Sequence, residues 1–565
     1  MARTPPERIG LKEKLGYGVG DLASGLYLNF FGFFLLYFYV DLHGLAPAAI
    51  GLMLLLTKLV DAITDPMMGM IADRTRTRWG RYRPYLLFGA LPFGLFGVLV
   101  FAVPDLSTGG MLVWAYVTYT MAMLVYTVAN VPYAGLLGVI SPSTAQRASV
   151  TAYRMFFSAI AGILIGVLAT TLVRELGGGD EARGIMLTMA CIAVLSVFCL
   201  LTTFATTKER IPPATQNGSI GGDLKELLRT GPWIAVAVAA IMGVIAIASR
   251  AGSALFYFKY VVGDAGTPVF FFLDRVALFY TALALGQVSG VILGNFLQRH
   301  FEKAHLIIAA GALKASAILL FYILPLDAVW PQTFVQYFVG VGFGILMVLA
   351  FAMFTDIAEY VDWRSGKQMT GLVVSASIFA VKAGVALGAA IPGFVMGLTG
   401  FVAGESQSEQ AMMGINLAFA LIPAAALIPG GIAMMFYRLD RRLIADGTYF
   451  VIFDGEELVG CGGWSPRATP YGGDASAGRD TRLLDPAKEP ARVRAMYTDP
   501  AHVRRGIGRL ILTLCEGAAR AAGFAEVELT ATLAGEPLYR AAGFVADRHF
   551  TDKNVPLIRM VKKLG

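Results

Sequence analysis

Apolar runs of about twenty residues or more, divided by short polar connections, fill most of the first 437 positions of the chain. They fall near 22–43, 46–72, 85–103, 111–138, 150–173 and 185–205, then near 232–258, 276–297, 305–325, 330–354, 371–399 and 410–437. A helix of about 20 apolar residues crosses the hydrocarbon of a bilayer. The pattern therefore predicts an all-α membrane protein of twelve helices in two groups of six. KERIPPATQNGSIGGDLKELLRTG (208–231) parts the groups, with Pro, Gly and Ser ahead of a short amphipathic piece. From about residue 443 the apolar runs shorten and charges rise, which predicts a small α/β segment outside the bilayer. The chain thus reads as a six-helix bundle (1–207), a linker (208–231), a second six-helix bundle (232–440) and a C-terminal domain (443–565).

Composition sharpens this. Only 15% of the 565 residues are charged, 56% are hydrophobic, and the mean hydropathy is +0.64. Soluble domains carry roughly 25% charged residues, so most of this surface is expected to face the lipid bilayer. The net charge of +7 does not indicate nucleic acid as a partner, because the basic residues lie in short clusters between apolar runs. One set of connections holds Arg74, Arg76, Arg78, Arg81 and Arg83, then Arg147, Lys208, Arg210, Arg299, Lys303, Arg364 and Lys367. The alternate connections DLHGLAPAAIG, PDLSTGG, LPLDAVWPQ and GESQSEQ hold neither Lys nor Arg; Arg174, Arg183, Lys259 and Arg275 are the exceptions. Lys and Arg accumulate on the cytoplasmic side, so both termini are expected in the cytoplasm of a cell-membrane protein. Arg438, Arg441 and Arg442 follow the last span and place the tail there too. The basic start MARTPPERIGLKEK precedes a run too long for a signal peptide, and reads as leading into a retained first helix. Cys191, Cys199, Cys461 and Cys515 have no metal-ligand spacing and read as small hydrophobes.

Ionisable groups inside a span are costly and are functional candidates by default. Asp61 and Asp65 lie four apart in span two, on one helical face. Two such carboxylates repel each other, and burial opposes their ionisation. A bridging Na⁺, Li⁺ or H⁺ would supply the missing charge. The alternative is that Asp65, just before Pro66, serves a helix end. Lys382 sits centrally in span eleven and needs a carboxylate partner, for which Asp61 or Asp65 would serve. Asp21, Arg154 and Arg250 lie nearer span ends, where interfacial anchoring and a polar cavity are equally good readings. Six spans, a long linker and six more spans is the plan of major facilitator transporters, whose sites lie between the halves at the midplane. The connection GMIADRTRTRWGRYRPYLLFGA (69–90) has a weaker echo in GNFLQRHFEKAHLIIAAGA (294–312), as a repeat requires.

The segment DAITDPMMGMIADRTRTRWGRYRPYLL (61–87) resembles the signature of the glycoside–pentoside–hexuronide:cation symporter family. The likeness extends to YGVGD (17–21), ANVPYAGL (129–136), YFKYVVGD (257–264) and DIAEYVDWRSG (356–366). It implies cation-coupled uptake of a sugar or glycoside, with Na⁺ or H⁺ as the coupling cation. The family's cation-binding aspartates and threonine fall on Asp61, Asp65 and Thr127; Thr64 stands where the family has asparagine, and the family lysine matches Lys382. On the sugar side the resemblance implies Asp21, Tyr126, Asn130, Arg154 and Met347. Several of these differ from melibiose-transporting members: Gly25 and Asn130 replace aspartates, Ala134 and Met347 replace tryptophans, and the arginine is offset to Arg154. These changes argue against a galactoside. Lipid-transporting relatives share the cation motif.

In the tail, TYFVIFDGEELVGCGGW (448–464) reads as two strands around an Asp454-Gly455 turn, and ARVRAMYTDP (491–500) as a third. AHVRRGIGRLILTLCEGAARAAGF (501–524) is a glycine turn opening an amphipathic helix; AEVELTATL (525–533) is a strand and EPLYRAAGF (536–544) a short helix. A glycine turn at a helix N-terminus offers a row of N–H donors suited to a pyrophosphate. With LYRAAGF, this order resembles the GNAT N-acetyltransferase superfamily. The resemblance implies acetyl-CoA held by the loop Arg504, Arg505, Gly506 and Gly508, with Val503 in place of the usual first residue. It also implies Met496 and Tyr497 along the pantetheine arm and Tyr539 as the general acid. The strand and two helices that normally open such a domain are missing from the ten or so residues after span twelve, which argues against acetyltransferase activity.

Overall fold

Helices form wherever the apolar runs are long, because a backbone in lipid must satisfy its own hydrogen bonds. The computed structural model describes residues 9–102, 104–141, 143–210, 227–264, 266–365, 370–437, 448–454, 457–468, 482–499, 502, 504–533, 535–552 and 555–564. Outside these lie the first eight residues, most of the linker, Lys367, the basic residues at 438–442, Gly455 and Val503. The chain divides into two units, Met1–Phe354 with Ser375–Tyr437, and Thr355–Val374 with Arg438–Gly565.

Among the described residues, twelve helices are long and apolar enough to cross a membrane. They are α1 (Leu11–Leu42), α2 (Pro47–Arg74), α3 (Arg83–Val100), α4 (Thr108–Ile140), α5 (Thr144–Gly177) and α6 (Glu181–Thr206). Then follow α7 (Gly231–Val262), α8 (Arg275–Leu297), α9 (Lys303–Ile323), α10 (Val329–Ser365), α11 (Thr370–Leu398) and α12 (Glu409–Met435). Each predicted span lies largely within its helix. The starts are set locally: Ser107, Asp180, Asp274 and Ser408 each accept a hydrogen bond from the third N–H of their helix. Pro47, Pro84 and Pro232 occupy first turns, where a missing N–H costs nothing.

The first helix starts eleven residues before its predicted span. Its early charges are satisfied from far along the chain: Arg210 Nη1 lies 2.8 Å from Glu13 Oε1, and Arg154 Nε lies 3.0 Å from Asp21 Oδ1. Hydropathy alone cannot register such partners.

Within the first unit, α1 packs on α5 and α6, and α7 on α12. The two sets of six meet where α5 crosses α8 and α1 crosses α7. Small residues allow the closest approaches: a Cβ at Gly166 would stand 2.9 Å from the Thr281 nitrogen. The first helix of each set ends in the same way. Both loosen into a π turn, at Phe38–Leu42 and Tyr257–Val262. Both are then closed by a left-handed glycine, Gly44 (φ 64°) or Gly263 (φ 72°). A bond spanning six residues seals each end, Leu45 N to Tyr39 O at 3.0 Å and Asp264 N to Phe258 O at 2.9 Å. This shared ending is a second mark of the repeat first read in the basic loops.

The tail forms a six-stranded sheet in the order β1-β2-β3-β4-β6-β5. Its strands are β1 (Tyr449–Asp454), β2 (Glu457–Ser465), β3 (Ala491–Thr498), β4 (Glu526–Thr532), β5 (Val545–Asp552) and β6 (Val555–Lys563). Helix α13 (Ile507–Ala521) buries Ile511, Leu512, Cys515 and Ala519 on the sheet, and α14 (Glu536–Ala541) follows β4. The core gathers Trp464, Val493, Phe524, Leu529, Phe544 and Met560. Strands β5 and β6 are additions to the sequence reading.

Candidate functional site

On α2, the one-turn spacing brings Asp61 and Asp65 to one face, and each meets a lysine. Asp61, 4% exposed, takes Lys58 Nζ at 2.8 Å on Oδ2, while its Oδ1 is buried with no hydrogen-bond partner. Asp65 accepts from Thr127 Oγ1 at 2.8 Å and pairs through its other oxygen with Lys382 of α11. Of the two partners open to Lys382, the structure thus selects Asp65, and the pair ties the first six helices to the last six. Thr64 instead donates to the Val60 carbonyl of its own helix at 3.0 Å. Lys58 was missed by the sequence reading. The rule that flags intramembrane charges covers it, since it lies three residues from Asp61 on the same helix.

Next to these lies a second polar group. Asp21 pairs with Arg154, whose guanidinium sits 5.5 Å from the Tyr133 ring centroid. Tyr133 stacks on Tyr17 at 4.6 Å, and each hydroxyl donates to the other residue's carbonyl, at 2.8 and 3.1 Å. Ser24 Oγ donates to Asn130 Oδ1 at 3.3 Å. Tyr126 lies within electrostatic reach of Asp21, Arg154, Asp65 and Asp61, so it links the two groups. Met347 is half-buried on α10, and among the described residues no hydrogen bond joins it to the set.

The second half buries two cations. Arg250 of α7 is fully buried, with Nη1 2.9 Å from the Phe419 carbonyl and Nε and Nη2 at 3.2 and 3.0 Å from Gln336 Oε1. The rings of Phe419, Phe321 and Phe279 wrap it at 4.0, 4.5 and 5.3 Å. Of the two readings weighed for Arg250, this packing rules out interfacial anchoring. Lys314 of α9, equally buried, donates to the Gly243 carbonyl at 2.7 Å. It too went unread, hidden in a span otherwise typical of lipid-facing helix.

In the tail, β3 and β4 pair in parallel only at Ala491–Val527 and Arg492–Glu528, and then diverge. The main chain of β3 beyond Arg492 therefore lines an open wedge on that edge. Met496 and Tyr497 flank this stretch, but alternation turns Met496 toward the core and leaves Tyr497 57% exposed. Gly506, the cap of α13, lies in the left-handed region (φ 85°), and so does Arg504 (φ 65°), so the chain makes a tight turn into the helix start, where main-chain N–H groups are free of helical partners. Gly508 lies in the first turn of α13. The open edge and the curled loop fit the pantetheine and pyrophosphate of acetyl-CoA. Tyr539 packs edge-on to Phe544 at 6.1 Å, and burial raises the pKa of its hydroxyl.

Glu528, 4% exposed, anchors β4 between Arg492 and Arg559, and Arg559 also holds Asp547 at 2.9 Å. Desolvation pulls the Arg492 guanidinium down to about 10. Glu528→Gln leaves two guanidiniums facing a neutral amide. It is expected to destabilise the tail by about 3 kcal/mol, read as a lower unfolding midpoint for the tail in hydrogen exchange of the full chain.

A twelve-helix body with carboxylates and lysines facing one another inside it is the frame of a membrane transporter. Residues 16–441 match the MFS/sugar transport protein family, and the chain belongs to that family. Residues 419–544 match the acetyltransferase (GNAT) family, so a GNAT domain closes the chain. That second match begins inside α12, ahead of the first strand of the sheet. The inner membrane symporter YicJ of Escherichia coli is 33% identical over 438 residues, covering 77% of this chain and 94% of the relative. The isoprimeverose transporter of Lactiplantibacillus pentosus is 31% identical, covering 77% and 90%. The glucuronide carrier protein homolog of E. coli is 29% identical, covering 77% and 94%. Among solved structures, a bacterial homolog of the human lysosomal transporter Spinster superposes with a TM-score of 0.56 at 13% identity, covering 76% of this chain and 97% of that one. That likeness shows the major facilitator fold alone.

Proposed function

We propose that the chain is a symporter that couples Na⁺ or H⁺ to the entry of a sugar or glycoside across the cell membrane, with both termini in the cytoplasm. The observation that carries this is the link from Thr127 through Asp65 to Lys382, beside a buried Asp61 oxygen without a partner. A cation entering between Asp61, Asp65 and Thr127 competes with Lys58 and Lys382 for the same carboxylates. Freeing Lys382 loosens α2 from α11, so occupancy by the ion biases how the two halves meet. Asp21, Tyr126, Asn130 and Arg154 then offer donors and acceptors to sugar hydroxyls, with Met347 as an apolar contact. The modules at 1–207 and 232–440 act as the two rocking bundles. A thermal-stability screen of the purified full chain against pentosides, hexuronides and other glycosides tests the reading. A stabilising sugar whose effect grows with Na⁺ or with acid supports it; sugars that never shift the midpoint under either condition oppose it.

For the tail the reading is acetyl-CoA binding at the Gly506–Gly508 loop, with the β3–β4 wedge along the pantetheine. When bound, acetyl-CoA supplies an activated acetyl group, and Tyr539 would be the residue that protonates the departing thiolate. Because burial raises its pKa, Tyr539 keeps its proton further into the alkaline range than a free tyrosine, so a rate that depends on it falls later with rising pH. In the full chain, Gly506→Val is expected to weaken acetyl-CoA binding by roughly tenfold or more, since a side chain there strains the left-handed cap. Tyr539→Phe is expected to leave that affinity unchanged and to remove any acetyl transfer. Unchanged acetyl-CoA affinity in Gly506→Val contradicts this site.

A further inference from the structure

The first helices of the two halves meet at the end where both loosen into π turns, and a buried carboxylate sits between them. Asp41 of α1, its side chain fully buried, takes Lys259 Nζ of α7 at 2.6 Å on one oxygen. The Tyr260 hydroxyl, also on α7, donates to the other oxygen. Lys259 donates in addition to the Tyr37 hydroxyl at 3.0 Å, which itself donates a hydrogen bond to Glu181 Oε2 at 2.9 Å. Consecutive side chains on an α-helix diverge by about 100°, whereas the wider π turn sets neighbours closer in angle. That local geometry lets Lys259 and Tyr260 grip the two oxygens of one carboxylate.

The same end is closed by other contacts between the halves. Phe33 of α1 stacks on Tyr280 of α8 at 3.7 Å. Arg174 of α5 donates to the Gly266 carbonyl at 3.2 Å, beyond α7. A Cβ at Gly51 of α2 would stand 3.0 Å from the Ala390 carbonyl of α11. All lie away from the basic loop at residues 74–83, hence on the extracellular side by the charge bias. The described hydrogen-bond partners of Asp41 come from the opposite half. Separating the halves at this end therefore strips a buried carboxylate of its counter-charge and its donors at once, which is costly.

We propose that Asp41, Lys259 and Tyr260 form the latch of the extracellular gate, holding the two halves together while the opposite face of the transporter is accessible. The latch is separate from the pair of acids on α2: Asp41 lies on α1, and its partners on α7. Breaking it is a required step of each cycle, and its strength sets how much of the protein is open to the outside.

Spin labels at Leu106 and Asp327 test this in the full chain, with the four native cysteines replaced. Both positions are exposed, in loops of opposite halves at this end. The distance distribution is read by double electron–electron resonance in proteoliposomes. The unaltered chain is expected to show one dominant short distance. Asp41→Asn and Lys259→Gln are each expected to raise the long-distance population relative to the short one by roughly tenfold, the scale of a charge-assisted hydrogen bond. Tyr260→Phe, which keeps the ion pair, is expected to give a smaller shift. The exchange Asp41→Lys with Lys259→Asp is expected to restore the short distance, which a merely misfolded protein would not do. Unchanged distributions in Asp41→Asn and Lys259→Gln overturn the proposal, as does a shift that the charge exchange fails to reverse.

Discussion

Asp65→Asn is expected to abolish uphill accumulation of substrate while leaving downhill exchange measurable. The asparagine keeps the shape and one acceptor for Thr127, so the contact between α2 and α4 has no reason to change. What goes is the negative charge that Lys382 now faces and that a cation would claim. Apparent cation affinity is expected to fall by at least roughly tenfold, the effect of one lost charge-assisted contact. The accumulation ratio then drops to about the equilibrium value, because no ion gradient is harvested. Asp61→Asn acts on the other carboxylate and is expected to give the same loss, with Lys58 left unpaired. Uptake by vesicles under an imposed ion gradient, beside counterflow without one, separates lost coupling from lost folding. Concentrative uptake surviving in both variants contradicts the cation site.

Arg250→Ala is expected to cost about 3–5 kcal/mol of stability, the largest loss from a single position in the second half. The guanidinium fills a cage of three phenylalanine rings and satisfies both Gln336 and the Phe419 carbonyl. Truncation removes that packing and leaves two buried polar groups without their donor. Gln336 already has a buried Nε2 with no partner, so it cannot easily turn to compensate. A marked fall in thermal midpoint in detergent, with a smaller fall for Arg250→Lys, is the expected pattern. A midpoint equal to that of the unaltered protein would show that the cage carries little of the packing.

The twelve spans were readable because lipid imposes a single rule on helix length and polarity, and runs such as 185–205 obey it without a charged residue. The start of α1 was not, since Glu13 and Asp21 are made tolerable by Arg210 and Arg154, 197 and 133 residues away in sequence. The acids of α2 announced themselves by a four-residue spacing, yet only the folded chain chooses Asp65 over Asp61 for Lys382. Lys58 and Lys314 obeyed the same rule and were passed over because one reads as a neighbour of the acids and the other sits in an unremarkable run. The latch was beyond reach of sequence: Asp41 and Lys259 are 218 positions apart and lie in what reads as ordinary loop edges. In the tail, Gly506 and the first four strands were legible from turns and alternation. Strands β5 and β6 were not, because charged and turn-forming residues in VADRHFTD and VPLIRMVKK blur a pattern that Ile558 and Met560 carry inward.

Sugar-driven ion movement tests the central claim most directly. Proteoliposomes holding the full chain, with equal Na⁺ and pH on both sides, are given an inward gradient of a sugar that stabilises the protein. Entry of ²²Na⁺ or acidification of the lumen is expected to follow the sugar, and to vanish in Asp65→Asn. Sugar entry with neither ion moving would contradict the account.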